Sequence, residues 1–131
     1  MKKKSIWLDR TLTCCSYYYC LCLSAEQYYA ELRDLKVPET TWLPFLNKDA
    51  NAGIKRYDEE KPLIFVCLDG ELAKTKTPCQ VAALLVHEAV HIWQRHASHI
   101  GAFNDHGDEE EAYAIQNIAQ ALFESYVEQT K

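Results

Sequence analysis

"TPCQVAALLVHEAVHIWQRHASHIG", residues 77–101, decides how this chain is read. It opens on Thr77-Pro-Cys-Gln80, a capping box. The threonine oxygen accepts from the backbone N–H three residues on, and the glutamine reaches back to the cap. Pro78 takes the first helical position, where a missing N–H costs nothing. Gly101 closes the stretch, free of the Cβ that penalises a left-handed stop. In between, Val81, Leu84, Leu85, Val86, Ala89, Val90 and Ile92 point in nearly every direction around a 3.6-residue period. That pattern predicts a helix to about Ile100, buried on all sides. Three ionisable groups, His87, Glu88 and His91, stand inside this apolar run, where burial is costly unless each finds a partner.

His87 and His91 are four residues apart, so both imidazoles leave one face of the helix a single turn apart. Two nitrogens so placed suit one metal ion. Glu88 lies beside them, able to reach a water on that ion without being a ligand. This is H-E-x-x-H, the zinc metalloprotease pattern. The competing reading is a pair of core histidines satisfied by hydrogen bonds. Catalytic zinc takes three protein ligands and keeps one position open. His96 and His99 sit at the far end of the same helix and cannot fold back. His106 lies in the following loop, but no H-x-x-G-x-x-H continuation follows His91. The next helix offers Glu109, Glu110 and Glu111. Stepping back from its apolar face, Ile115, Ile118 and Leu122, leads to Glu111, which is expected to face the core. Glu109 is expected in solvent and Glu110 in between. Glu111 is therefore the expected third ligand, its alternative role being a capping-box partner for Asp108. His106, Tyr113 and the run Tyr17 to Tyr19 are candidate donors to an oxyanion, with ordinary packing as each tyrosine's alternative.

The rest of the chain reads as one domain, residues 1–131. Its 48% hydrophobic and 25% charged residues suit a globular core. A net charge of -5 argues against nucleic acid as a partner. The one basic cluster, Lys2-Lys3-Lys4, reads as a solvated tail. Asp9 and Arg10 interrupt the apolar segment behind it, no small-x-small cleavage site follows, and no apolar run reaches the length of a membrane span. A cytoplasmic protein without a membrane partner is expected. The six cysteines lack paired C-x2-C spacing and read as reduced, small hydrophobes.

"SYYYCLCLS", Ser16 to Ser24, reads as a strand. Ser24-Ala-Glu-Gln27 caps a helix to about Leu35, and Pro38 and Pro44 bracket a turn around Trp42. Ile54 to Tyr57 and Leu63 to Leu68 read as the arms of a hairpin, the second arm being a candidate edge for an extended peptide. A last helix starts between Asp105 and Asp108 and reaches Tyr126 or beyond. The order predicts an α+β domain: a short antiparallel sheet packed on a buried active-site helix and a following C-terminal helix.

The segment His87-Glu88-Ala-Val-His91 with "EAYA", Glu111 to Ala114, resembles the gluzincin metallopeptidases, which join H-E-x-x-H to a glutamate from a following helix, often as E-x-x-A. Through "YYYCLCLS", "LLVHEAVHIWQ" and "EAYAIQNIAQ", most of the chain is similar to small phage and prophage metallopeptidases. The resemblance implies a zincin-like fold and Zn2+ held by His87, His91 and Glu111. It also implies Glu88 as the catalytic base and a peptide or protein substrate. The 131 residues are expected to lack the extra domains that build the cleft of large gluzincins. A non-catalytic, zinc-stabilised binding module of a phage regulator and a metal-free interaction protein therefore stand beside the peptidase reading. The sequence does not specify an oligomeric state.

Overall fold

The structure is a computed structural model that describes Ser5, Trp7 and residues 16–58, 62–101 and 108–131. Its centre is the strand β3, Leu63–Leu68, in which all six residues are buried. A strand apolar on both faces belongs in the middle of a sheet. β1, Tyr18–Cys22, pairs with one edge of β3 in parallel, Tyr18 opposite Leu63 and Cys22 opposite Cys67. β2, Ala52–Tyr57, pairs with the other edge antiparallel, Ala52 opposite Leu68 and Tyr57 opposite Leu63. The order is β1-β3-β2.

Two expectations change here. The sheet is mixed rather than antiparallel, because the long connection from β1 to β3 permits a parallel pairing that no local turn announces. And β3 has both edges occupied, so Leu63 to Leu68 cannot accept an added strand. β2 and β1 carry the outer edges.

Alternation along the strands divides the core in two. Tyr19, Leu21, Ile64, Val66 and Leu68 join Val81, Leu85, Ala89 and Ile92 of helix α3, Pro78–His99, and Ile118 and Leu122 of helix α4, Asp108–Gln129. On the opposite face, Cys20, Cys22, Leu63, Phe65 and Cys67 pack with Tyr28 and Leu32 of helix α1, Ala25–Asp34. Together these make an α+β fold in which helices cover both faces of a three-stranded sheet.

The helix ends follow the sequence. Thr77 Oγ1 accepts from Gln80 N at 3.2 Å, and Gln80 Oε1 accepts from Thr77 N at 2.9 Å. Gly101, with φ +70°, turns the chain out of α3. One short helix was not foreseen: α2, Gly70–Ala73, is capped by Asp69, whose carboxylate accepts from Glu71 N and Leu72 N. Gly70 donates its N–H to Leu23 O at 2.9 Å, and a Cβ there would stand 2.9 Å from that same oxygen.

α3 is not buried on all sides. Its buried side chains form one stripe, Val81, Leu85, Glu88, Ala89, Ile92, Trp93, His96 and Ala97. Val86 is 45% exposed. A sheet and one neighbouring helix cover a single side, and apolar residues off that stripe reach the surface. Cys79 is likewise exposed, whereas Cys20, Cys22 and Cys67 are buried free thiols. Burial pushes the Cys20 and Cys67 thiols up, which keeps them inert hydrophobes. Cys14, Cys15, Asp105 and His106 lie outside the described residues.

A buried amide network fixes the end of α4. Gln27 Nε2 donates to Gln129 Oε1 at 2.8 Å, and Gln129 Nε2 donates to Leu21 O at 2.9 Å. Gln27 Oε1 accepts from Leu23 N at 2.9 Å. No helix among the described residues is long and apolar enough to cross a membrane.

Leu122, fully buried between α3 and the sheet, sets a first test. Leu122→Ala should lower unfolding stability in urea by about 2–5 kcal/mol. Val127→Ala, on an exposed position of the same helix, should change it by about 0.5 kcal/mol or less.

Candidate metal and acid-base site

One helical residue turns the chain by 100°, so on α3 the step from His87 to Glu88 goes from the outer face to the core stripe. The side chain of His87 is 66% exposed, that of Glu88 only 4%. His91, one turn on, is half-buried. The imidazoles meet edge to face with Nε2 to Nε2 at 3.1 Å. His91 donates from Nδ1 to Gln94 Oε1 at 3.0 Å, a bond that leaves its Nε2 as the lone-pair nitrogen. An exposed pair of this kind is not the pair of satisfied core histidines that the sequence also allowed.

The donor set suits zinc. Two nitrogens at tetrahedral zinc lie about 3.3 Å apart, close to the spacing here. A ligand histidine commonly donates its other N–H to a carbonyl or carboxylate, as His91 does to Gln94. Glu88 Oε1 lies 3.9 Å from His87 Nε2, while Glu88 Oε2 is buried with no hydrogen-bond partner. Burial holds the Glu88 carboxyl above the usual carboxylate range, and His87 and His91 act in the opposite direction. The buried carboxyl therefore holds a proton more tightly than an exposed glutamate does.

The site opens on a cleft of about 460 Å³ lined by Asn51, Ala52, Lys76, Gln80, Ala83, Leu84, His87 and Glu88. Sequence reasoning did not identify Asn51 or Lys76, and it read Gln80 only as a cap. Their side chains come together through the packing of α3 on β2, which no local pattern encodes.

Glu111 stands in the first turn of α4 and is half-buried, while Glu109 and Glu110 are exposed. It lies one turn before Ala114, which packs on Trp93 and Ala97 toward the end of α3. Among the described residues, no three of His, Cys, Asp and Glu gather into a metal set: His87 meets His91, and Glu111 does not complete a set with them. The candidate tyrosine donors lie elsewhere too. Tyr17 and Tyr19 are in the core, Tyr113 is 61% exposed, and none of the described tyrosines lines the cleft.

His96 and His99 serve other ends. His96 is buried, and its Nδ1 accepts from Ser16 N at 2.9 Å. His99 stands edge to face with Tyr17. No protein-family profile, curated protein or solved structure matches the chain.

Burial lowers the pKa of His96 below the ordinary imidazole value, with Glu110 opposing that shift and His99 adding to it. The unfolded chain therefore binds this proton more tightly than the folded one. Stability from neutral His96 is full above the ordinary imidazole range and is lost as pH falls through it toward the folded value. In chelator, urea stability should decline from pH 7.5 to 5. His96→Asn, whose Oδ1 can keep the acceptor, should show a shallower decline. Equal slopes would remove His96 from this role.

Proposed function

We propose that His87, His91 and Glu88 form the working centre of a zinc-dependent peptidase in a minimal zincin-like domain, of the gluzincin type that the H-E-x-x-H segment and Glu111 resemble. The observation that carries this reading is Glu88: a buried carboxylate with an oxygen free of hydrogen bonds, lining a cleft together with His87, whose imidazole meets that of His91. His87 Nε2 and His91 Nε2 would hold the ion, with Gln94 orienting His91. Bound zinc supplies an acidified water and a polarised carbonyl.

The protein's own part is proton transfer and positioning. Glu88 would take a proton from the attacking water on Oε1, the oxygen nearer His87 Nε2, and deliver it to the leaving amine, a role favoured by its raised proton affinity. Asn51 and Ala52, at the start of the edge strand β2, line the same cleft as His87, so an extended peptide added to that edge would pass that imidazole. Glu111 and His106 remain the candidates for a third ligand. A second reading, a zinc-stabilised binding module without catalysis, draws on the two ligands rather than three that meet among the described residues.

Elemental analysis of full-length protein, purified without chelator, should find one zinc per chain. His87→Ala and His91→Ala should each lose metal and stability together, because metal binding is linked to folding. Metal-free protein of unchanged stability would overturn the reading. Glu88→Gln should keep the zinc and lose all peptide hydrolysis. Zinc titrations of Glu109→Ala, Glu110→Ala, Glu111→Ala and His106→Ala identify the third ligand, with Glu111→Ala expected to bind most weakly. Retained zinc with no hydrolysis by wild type would favour the binding module.

A further inference from the structure

We infer that the cleft leading to His87 and Glu88 is built for an anionic peptide, with Lys76, Gln80 and Asn51 receiving an acidic side chain about three residues from the bond that is cut. This rests on the peptidase reading for the word "cut" alone, since the recognition of the anion stands on the cleft itself.

Three residues whose side chains can donate, Lys76, Gln80 and Asn51, line the cleft. Lys76 is half-buried, and its ammonium forms no ion pair among the described residues. Gln80 spends its Oε1 on the cap of α3, and its Nε2 has no partner among the described residues. The side-chain amide of Asn51 is likewise without a partner there, the backbone O alone accepting from Asp69 N. Glu71, the nearest acid in sequence to Lys76, is already held by Lys74 at 3.2 Å. Among the described residues that line the cleft, Glu88 is the single acid, beside His87.

At the start of α3, Pro78 has no N–H and the capping box engages those of Thr77 and Gln80, so recognition falls mainly on the side chains. The chain as a whole carries a net charge of -5 and repels an acidic peptide at long range. An ammonium and two side-chain amides line this cleft without partners among the described residues, and a carboxylate that reached two or three of them would gain charge-assisted hydrogen bonds.

The spacing sets the register. Gln80 and His87 are seven residues apart on one helix, about 10 Å along its axis. An extended peptide covers that distance in about three residues. Ala83 and Leu84, between the two ends, present an apolar wall to the intervening side chains.

The test uses full-length, zinc-supplemented protein and a set of fluorogenic peptides in which one glutamate, or a glutamine control, is walked along a neutral sequence. Binding of the same peptides to Glu88→Gln is read by fluorescence anisotropy. Glutamate at the matching position should raise kcat/KM and binding about tenfold over glutamine, the scale of one charge-assisted hydrogen bond. The preference should shrink as salt screens it. Lys76→Gln should abolish it, and Lys76→Glu should invert it toward a lysine-bearing peptide. Lys76→Arg should retain it, and circular dichroism checks that all three variants fold. Cleavage without a glutamate preference overturns the inference and leaves the peptidase reading standing. Glutamate-selective binding that depends on Lys76, with no cleavage by wild type, supports the inference and removes the peptidase. Absence of both binding and cleavage overturns the inference.

Discussion

A central strand buried on both faces has to be covered twice, and the rest of the fold follows from that requirement. β3 exposes none of its six side chains, so α1 must close one face and α3 with α4 the other. To close its face, α3 turns the stripe through Val81, Leu85, Ala89 and Ile92 onto the sheet. Once that stripe is set, helical geometry leaves no freedom at the site. His87 and His91 point away from the sheet, a turn apart, and Glu88 is carried inward by 100°. The proximity of an exposed imidazole pair to a buried carboxylate is thus a consequence of core packing, and any change that rotates α3 on the sheet would move all three groups together.

The elements were largely legible because their ends carry their own chemistry. Thr77 and Gln80 define the start of α3, Gly101 its stop and Ser24 the start of α1, each through a bond or a backbone angle made within a few residues. What was not legible was set by contacts distant in sequence. β1 and β3 pair with Tyr18 opposite Leu63, and no intervening turn reveals it. The central position of β3, and hence the loss of its edge to an incoming peptide, depends on that pairing. α3 was misjudged as wholly buried because Ala83, Leu84 and Val86 continue its apolar character past the core stripe. Two of those three line the cleft. His87, Glu88 and His91 were readable from spacing alone because they share one helix. Lys76 and Asn51 were not, since one precedes α3 and the other precedes β2.

The treatment of buried polar groups separates scaffold from site. Glu31 accepts from Trp7 Nε1 at 3.1 Å, and Lys55 donates to Asn47 Oδ1 at 2.9 Å. Gln27 and Gln129 bond to each other and to the chain around Leu21 and Leu23. His96 is held by Ser16. On the α1 side, Leu43 N donates to Tyr57 Oη, Tyr57 bonds to Tyr28, and Tyr28 Oη donates to Leu43 O, a closed circuit that joins the loop after α1 to the sheet. Each of these groups is compensated by a hydrogen bond, as the cost of burying polar atoms requires.

Glu88 breaks that pattern, and the electrostatics say what would restore it. It sits in the core stripe of α3, where a leucine or glutamine would satisfy the packing without a charge to desolvate. His87 Nε2 stands 3.9 Å from its Oε1, and the opposing effect of His87 and His91 is smaller than that of burial, so its proton affinity stays raised. Positive charge within about 4–6 Å favours an ionised carboxylate. A divalent ion between His87 and His91 would supply such charge on the exposed side of Glu88 without entering the core. The same ion would remove the desolvation cost that α3 carries in its absence. Metal affinity and helix stability would then share one origin, so the residue least favourable to the isolated fold would be the one most stabilised by the ion.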